Sequence, residues 1–129
     1  MVAKKKVLIV DDDKFFREIL SKEFLDAGFS VVTAVDGEDG LVKFKENKPQ
    51  IVISDKIMPK MGGTRFLSLA REMEFSKDVI FVTMSSMIKD APHEHEKEVL
   101  GSKIHIPKLT NPIDVVIIIE QLLDRQTRS

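Results

Sequence analysis

Short apolar runs alternate with amphipathic stretches along this chain. Lys6-Val7-Leu8-Ile9-Val10 is apolar after its first residue and is closed by Asp11-Asp12-Asp13. Ser30-Val31-Val32-Thr33-Ala34 is rich in β-branched residues, and Ile51-Val52-Ile53-Ser54 runs into Asp55. Val79-Ile80-Phe81-Val82 runs into Thr83, and Lys103-Ile104-His105-Ile106 is a shorter fifth run. Runs this short, bounded by turn residues, read as buried strands. Between them, apolar residues recur at the three- and four-residue spacing of one helix face. Phe15, Phe16, Ile19, Leu20, Phe24 and Leu25 predict a helix over 14–27, stopped by Gly28. Asp36-Gly37 signals a turn, and Leu41, Val42 and Phe44 mark a second helix ending near Asn47-Lys48-Pro49. Phe66, Leu67, Leu69, Ala70 and Met73 place a third helix after Gly62-Gly63. A fourth is expected within 85–100, beginning near Pro92, which the first turn of a helix tolerates, and ending at Gly101. Asn111-Pro112 opens the last helix, with Val115, Val116, Ile118, Ile119, Leu122 and Leu123 as its buried face, and 124–129 reads as a polar end.

Five strands alternating with five helices predict an α/β protein with a parallel sheet covered on both faces. A length of 129 residues suits one domain, 1–129 with a core of about 5–124, and no repeat, low-complexity tract or linker interrupts it. Net charge is −1 with both signs interspersed, so no strong pull toward nucleic acid or membrane is expected. Lys4-Lys5-Lys6 reads as the solvated start of a strand. The absence of Cys excludes disulfides and thiolate metal sites. The first apolar run is too short for a signal-peptide core or a membrane span, which points to a cytoplasmic protein.

Candidate chemistry sits where strands end. In an open parallel sheet, ligands gather at the C-terminal edge of the strands. Asp11 and Asp12 close the first run and Asp55 the third, so carboxylates from two strands can meet on one rim. Like charges held together resist ionising unless a cation joins them, and hard oxygen ligands suit Mg²⁺. Each acid also has a plainer reading: Asp55 can stabilise the turn after its strand, and Asp13 can cap the next helix. Thr83 ends the fourth run and Lys108 lies just beyond the fifth.

Acid pair, single acid, hydroxyl and amine at successive strand ends resemble the response-regulator receiver domain, the phospho-acceptor half of two-component signalling. The resemblance covers nearly the whole chain. Val10-Asp11-Asp12 is similar to the family's acidic pair, and Thr83 and Lys108 to its hydroxyl and lysine. Ser54-Asp55, with Met58-Pro59 and Met61-Gly62-Gly63, is similar to its phospho-acceptor loop. The resemblance implies a doubly wound three-layer sandwich of strand order 2-1-3-4-5, the order known from flavodoxin and the chemotaxis receiver CheY. It implies that Asp55 takes a phosphoryl group from the phosphohistidine of a histidine kinase or phosphotransfer protein. Asp11, Asp12, Asp55 and the backbone carbonyl of Ile57 would hold Mg²⁺ or Mn²⁺, and Thr83 and Lys108 would contact phosphoryl oxygens. Movement of Thr83 would pass the signal through the fourth helix and fifth strand to an unknown downstream protein. The resemblance further implies no catalysis beyond the domain's own phosphorylation and dephosphorylation, and no nucleic-acid or membrane partner. A monomer, or a weak dimer through the fourth-helix, fifth-strand and fifth-helix face, completes the expectation.

Several residues depart from the family's usual pattern. Met84 follows Thr83 where a small residue is usual; it either narrows access to the site or turns aside to fill a gap. His105 stands where Tyr or Phe is usual, and is either a switch with a pH-dependent charge or a surface histidine on an edge strand. Lys56 replaces an apolar residue beside Asp55, and either adds local positive charge or faces solvent. Leu109, not Pro, follows Lys108, so no cis peptide is expected there; Pro107 precedes the lysine instead. The stretch from Thr83 to Lys108 is longer than usual, with the excess expected in 85–98, which predicts an altered docking or dimer surface. His93 and His95 are wrongly spaced for one helix face and read as solvated loop histidines rather than a metal pair.

Two further readings compete. Asp11-Asp12-Asp13 after an apolar run also resembles haloacid-dehalogenase-type phosphatases, with Asp11 as nucleophile and Asp13 as general acid. That class needs a later acidic pair and usually a cap insertion, neither of which is evident, and it leaves Asp55 idle. Alternatively, the chain is a phosphorylation-independent receiver whose acidic pocket serves a binding module. A flavin-binding flavodoxin is disfavoured, because three Asp after the first strand would repel a flavin phosphate.

Overall fold

The computed structural model describes residues 5–56, 61–85 and 104–128. Five strands form one parallel sheet: β1 (Lys6–Val10), β2 (Ser30–Ala34), β3 (Ile51–Asp55), β4 (Ile80–Ser85) and β5 (Ile104–Pro107). Their order is β2-β1-β3-β4-β5, as expected from the resemblance. Four α-helices are described, α1 (Lys14–Asp26), α2 (Gly37–Asn47), α3 (Gly63–Arg71) and α4 (Pro112–Arg128), with a 3-10 turn at Glu74–Ser76. The helix expected from Pro92, and His93 and His95 with it, lie outside the described residues, so α4 is the last helix of the chain.

Burial on both faces explains the strands' nearly unbroken apolar character. Val7, Ile9, Ile51, Ile53, Val82 and Met84 pack with Leu20 and Phe24 of α1 and Val115 and Ile119 of α4. Leu8, Val10, Val52 and Phe81 point the other way, onto Phe44 of α2 and Phe66, Leu67 and Ala70 of α3. Alternate residues of β1 to β4 therefore serve two separate cores, as the two-residue repeat of a strand requires, while β5 gives Ile104 and Ile106 to the first.

Local signals fix the helix ends. Asp13 caps α1, its Oδ1 accepting from the Phe16 N–H at 3.2 Å. Gly28, with φ 94°, takes the left-handed turn that ends α1. There the Phe29 N–H donates to the Phe24 carbonyl and the Gly28 N–H to the Leu25 carbonyl. This paired closure is sealed by the edge-on Phe24 and Phe29 rings, 5.0 Å apart. Asp36, expected only as part of a turn, is the N-cap of α2, accepting from the Asp39 N–H at 2.8 Å.

Three boundaries differ from the sequence pattern. Phe15 and Leu25 are 71% and 57% exposed, because each lies one residue outside the stripe of Phe16, Leu20 and Phe24 and so turns about 100° from it. The strand expected to end in Thr83 continues to Ser85, which puts Thr83 inside β4 and not at its end. Residues 124–128, expected within a polar end, are the last turn of α4; they hold no Gly or Pro, and Gln126 Nε2 donates to the Asp78 carbonyl at 2.7 Å.

The start of α3 is pressed against the end of β3. The Gly63 N–H donates to the Lys56 carbonyl at 3.1 Å, and a Cβ on Gly63 would strike the Asp55 carbonyl. One on Gly62 would meet nothing closer than the Lys56 carbonyl at 3.7 Å. Gly63→Ala is therefore expected to destabilise the fold by about 1–3 kcal/mol. Gly62→Ala should cost less than about 1 kcal/mol, the loss of a favourable cap residue. Urea unfolding of both variants checks the contrast.

Candidate functional site

The chain reverses its direction of winding between β1 and β3, which lie side by side at the centre of the sheet. Val10 pairs with Ser54, so the residues that follow them, Asp11 and Asp55, emerge together at the C-terminal edge. One carboxylate oxygen from each of Asp11, Asp12 and Asp55 lies within 4.8 Å of the others. Asp11 is buried at 1% exposure, Asp55 nearly so, and Asp12 is exposed.

Lys108 comes to the same point from beyond β5. Its N–H donates to the Ser85 carbonyl at 3.0 Å, continuing the β4–β5 ladder past Pro107, and so aims the side chain back over the sheet edge. The Lys108 Nζ lies 2.9 Å from Asp11 Oδ2 and 3.5 Å from Asp55 Oδ2. It also sits 4.6 Å above the Phe16 ring, a face that attracts a cation. Pro107 does not displace the lysine, and none of the described peptide bonds is cis.

Two supports of Asp11 are not evident from the sequence pattern. The Asp13 N–H donates to Asp11 Oδ1 at 2.8 Å, and Arg17 Nη1 reaches back from α1 to the Asp11 carbonyl at 2.7 Å. Arg17 lies one helical turn past the N-cap, and only that spacing hints at its reach. Phe16 carries a double duty, half on the core and half under Lys108, which its place on the apolar stripe does not disclose.

The remaining candidates are also placed. Thr83 lies beside Ser54 on β3 and opposite His105 on β5. Its Oγ1 is 2.9 Å from His105 Nδ1 and 3.4 Å from the Ile104 carbonyl. Met84 pairs with Asp55 but is buried in the core beneath α1 and α4. Lys56 is half-buried, and its N–H donates to the Met84 carbonyl at 3.0 Å. Ile57, expected to offer a carbonyl to a metal, lies outside the described residues.

Burial pushes the Asp11 carboxyl up from its ordinary value, and the contacts from Lys108 and the Asp13 N–H only partly offset this. Burial also works against the Lys108 ammonium, but Asp11 and Asp55 outweigh it and raise that group above its ordinary value. The donor set fits a small hard cation. Asp11, Asp12 and Asp55 bring carboxylate oxygens together, and among the described residues the fully buried Asp11 Oδ2 has the Lys108 ammonium as its polar partner. Oxygen ligands of this kind are those of Mg²⁺.

With this geometry in hand, comparison with known proteins is direct. Residues 7–119 match the response regulator receiver domain, and the chain belongs to that family. It is 32% identical over 124 residues to a probable transcriptional regulator, ycf27, of Cyanophora paradoxa, covering 96% of this chain and 50% of the relative. The chemotaxis response regulator CheY4 of Vibrio cholerae is similar in structure, with TM-score 0.84 and 28% identity over 92% of this chain and 98% of that one. A CheY from Borrelia burgdorferi, solved in a complex with CheX, BeF3 and Mg²⁺, has TM-score 0.80 and 30% identity, over 92% of this chain and 89% of that one. The chain spans about half the length of the ycf27 relatives of Cyanophora paradoxa, Porphyridium aerugineum and Guillardia theta. Family membership replaces the phosphatase reading of Asp11-Asp12-Asp13.

The pairing of Lys108 with a buried carboxylate sets a pH signature in metal-free protein. The raised Lys108 contributes stability that is fully present below its unfolded value of 10.5 and is lost as pH rises through its higher folded value. The raised Asp11 acts in the same sense at lower pH: its contribution is fully present below its ordinary value of 3.8 and is lost as pH climbs through its higher folded value. Lys108→Met should therefore destabilise the protein by about 1–3 kcal/mol at neutral pH. That loss should shrink in acid, where Asp11 takes a proton and needs no counter-charge. Denaturation of both proteins in chelator across a pH series measures it.

Proposed function

We propose that this domain accepts a phosphoryl group on Asp55 from a histidine kinase or phosphotransfer protein and relays the event to a protein partner. The observation that carries the reading is the Lys108 ammonium shared between Asp11 and Asp55 at the rim of β1 and β3. An Asp55 oxygen attacks phosphorus, its bond to the donor imidazole breaks, and the imidazole leaves with the electron pair. Asp11, Asp12 and Asp55 would hold Mg²⁺ or Mn²⁺, which when bound neutralises charge on the phosphoryl oxygens. Lys108, already within reach of Asp55, adds a second positive charge there. The Thr83 hydroxyl turns toward a phosphoryl oxygen and donates to it. Chemistry of this kind is limited to the domain's own phosphorylation and dephosphorylation.

The partner side of the proposal rests on the surface beyond Lys108. Leu109, Ile113 and Ile117 are large, apolar and exposed at four-residue spacing. They lie in the turn before α4 and on its first half, where a downstream protein or a second copy in a weak dimer would dock. No helix among the described residues is long and apolar enough to cross a membrane, which is compatible with the cytoplasmic location we propose.

Intact mass after incubation with acetyl phosphate and Mg²⁺ tests the reading. One phosphoryl group is expected on the wild type and none on Asp55→Asn, and Lys108→Met should react about 10²-fold more slowly. If no donor modifies a folded protein that still binds Mg²⁺, the domain works as a phosphorylation-independent binding module instead.

A further inference from the structure

Thr83 and His105 are cross-strand partners, and the contact between their side chains is the shorter of the two polar contacts described for the Thr83 hydroxyl. Both contacts lead to β5. With the ring proton of His105 on Nε2, Nδ1 accepts the hydroxyl's hydrogen at 2.9 Å. With it on Nδ1, the ring donates and the hydroxyl's hydrogen has the Ile104 carbonyl at 3.4 Å as its acceptor on that strand. A hydroxyl has one hydrogen to give. A phosphoryl oxygen on Asp55 would need that same hydrogen.

We propose that His105 is a positioning residue that holds the Thr83 hydroxyl on β5 and so competes with the phosphoryl group for its hydrogen. The proposal rests on Asp55 as phospho-acceptor and Thr83 as phosphoryl contact, and adds what opposes them. Phosphorylation must break the Thr83–His105 hydrogen bond before the hydroxyl can turn. An aromatic side chain without a ring nitrogen leaves the hydroxyl only the longer contact to the Ile104 carbonyl at 3.4 Å, so its substitution here shifts the balance toward the phosphorylated arrangement. His105 thereby sets the threshold for switching through Thr83, without touching the phosphoryl group itself.

The test uses beryllofluoride with Mg²⁺ as a phosphoryl mimic, its affinity measured by calorimetry in a double-mutant cycle. His105→Phe is expected to tighten binding about two- to tenfold in the presence of Thr83, the worth of one hydrogen bond. In a Thr83→Ala background the same substitution should change nothing. An equal effect in both backgrounds, as from altered packing, or no effect in either, overturns the proposal. A second measurement needs no change at His105: the ring ¹⁵N resonances of the chain. The Nδ1 resonance is expected to move on Thr83→Val in unliganded protein and on addition of beryllofluoride to the wild type. A resonance indifferent to both overturns the proposal even if His105→Phe does not fold. If Nδ1 responds to Thr83→Val but the wild type binds no beryllofluoride, the hydrogen bond stands, the Asp55 reading fails, and the competition falls with it.

Discussion

Three carboxylates cannot share the end of a sheet without a counter-charge, and among the described residues the Lys108 ammonium is the cation seen bridging two of them. Everything at the rim is arranged around that imbalance. β1 and β3 must be neighbours in register for Asp11 to stand beside Asp55. β5 must run far enough for the Ser85–Lys108 backbone bond to aim the lysine back over the sheet. Phe16 must sit beneath the ammonium, with its ring both sealing the core and facing the charge. A buried carboxylate facing one ammonium is costly to a folding chain, and it is the feature on which the proposed phosphoryl-accepting site would rely.

The scaffold can bear this cost because it is conventional elsewhere. The two cores on either side of the sheet use alternate residues of the same strands, so β1 to β4 are each anchored twice. Asp13 closes the first helix at one end and the Gly28 turn closes it at the other. The acidic loop is thus suspended between a buried strand and a well-capped helix, with Arg17 tying its first carbonyl to that helix.

Most of the fold was legible in the chain. Apolar runs ending in Asp or Thr marked the strands, and three-and-four spacing marked the described helices. The acids and Lys108 were legible as a set only through resemblance, because no periodicity shows that Lys108 returns to β1. What pattern misjudged has physical causes. Phe15 and Leu25 look like members of the α1 stripe until the turn per residue is taken into account. The end of α4 was hidden because polar residues signal exposure, not the end of a helix. Arg17 and His105 were hard to assign because the contacts described for them, to a carbonyl and to a hydroxyl, are ones that sequence cannot show. Met84, a departure beside Thr83, proves to be core packing in register with Asp55.

The close approach at Gly63 has a mechanical meaning. On that side of Asp55 the strand end and the start of α3 touch backbone to backbone, with no room even for a methyl group. Backbone atoms in such contact have no second rotamer to adopt. On the other side stands a hydroxyl, which can change partner by rotating about a single bond. Among the described residues, Asp55 thus stands between one fixed jaw, the start of α3, and one adjustable jaw, the rotatable hydroxyl on β4.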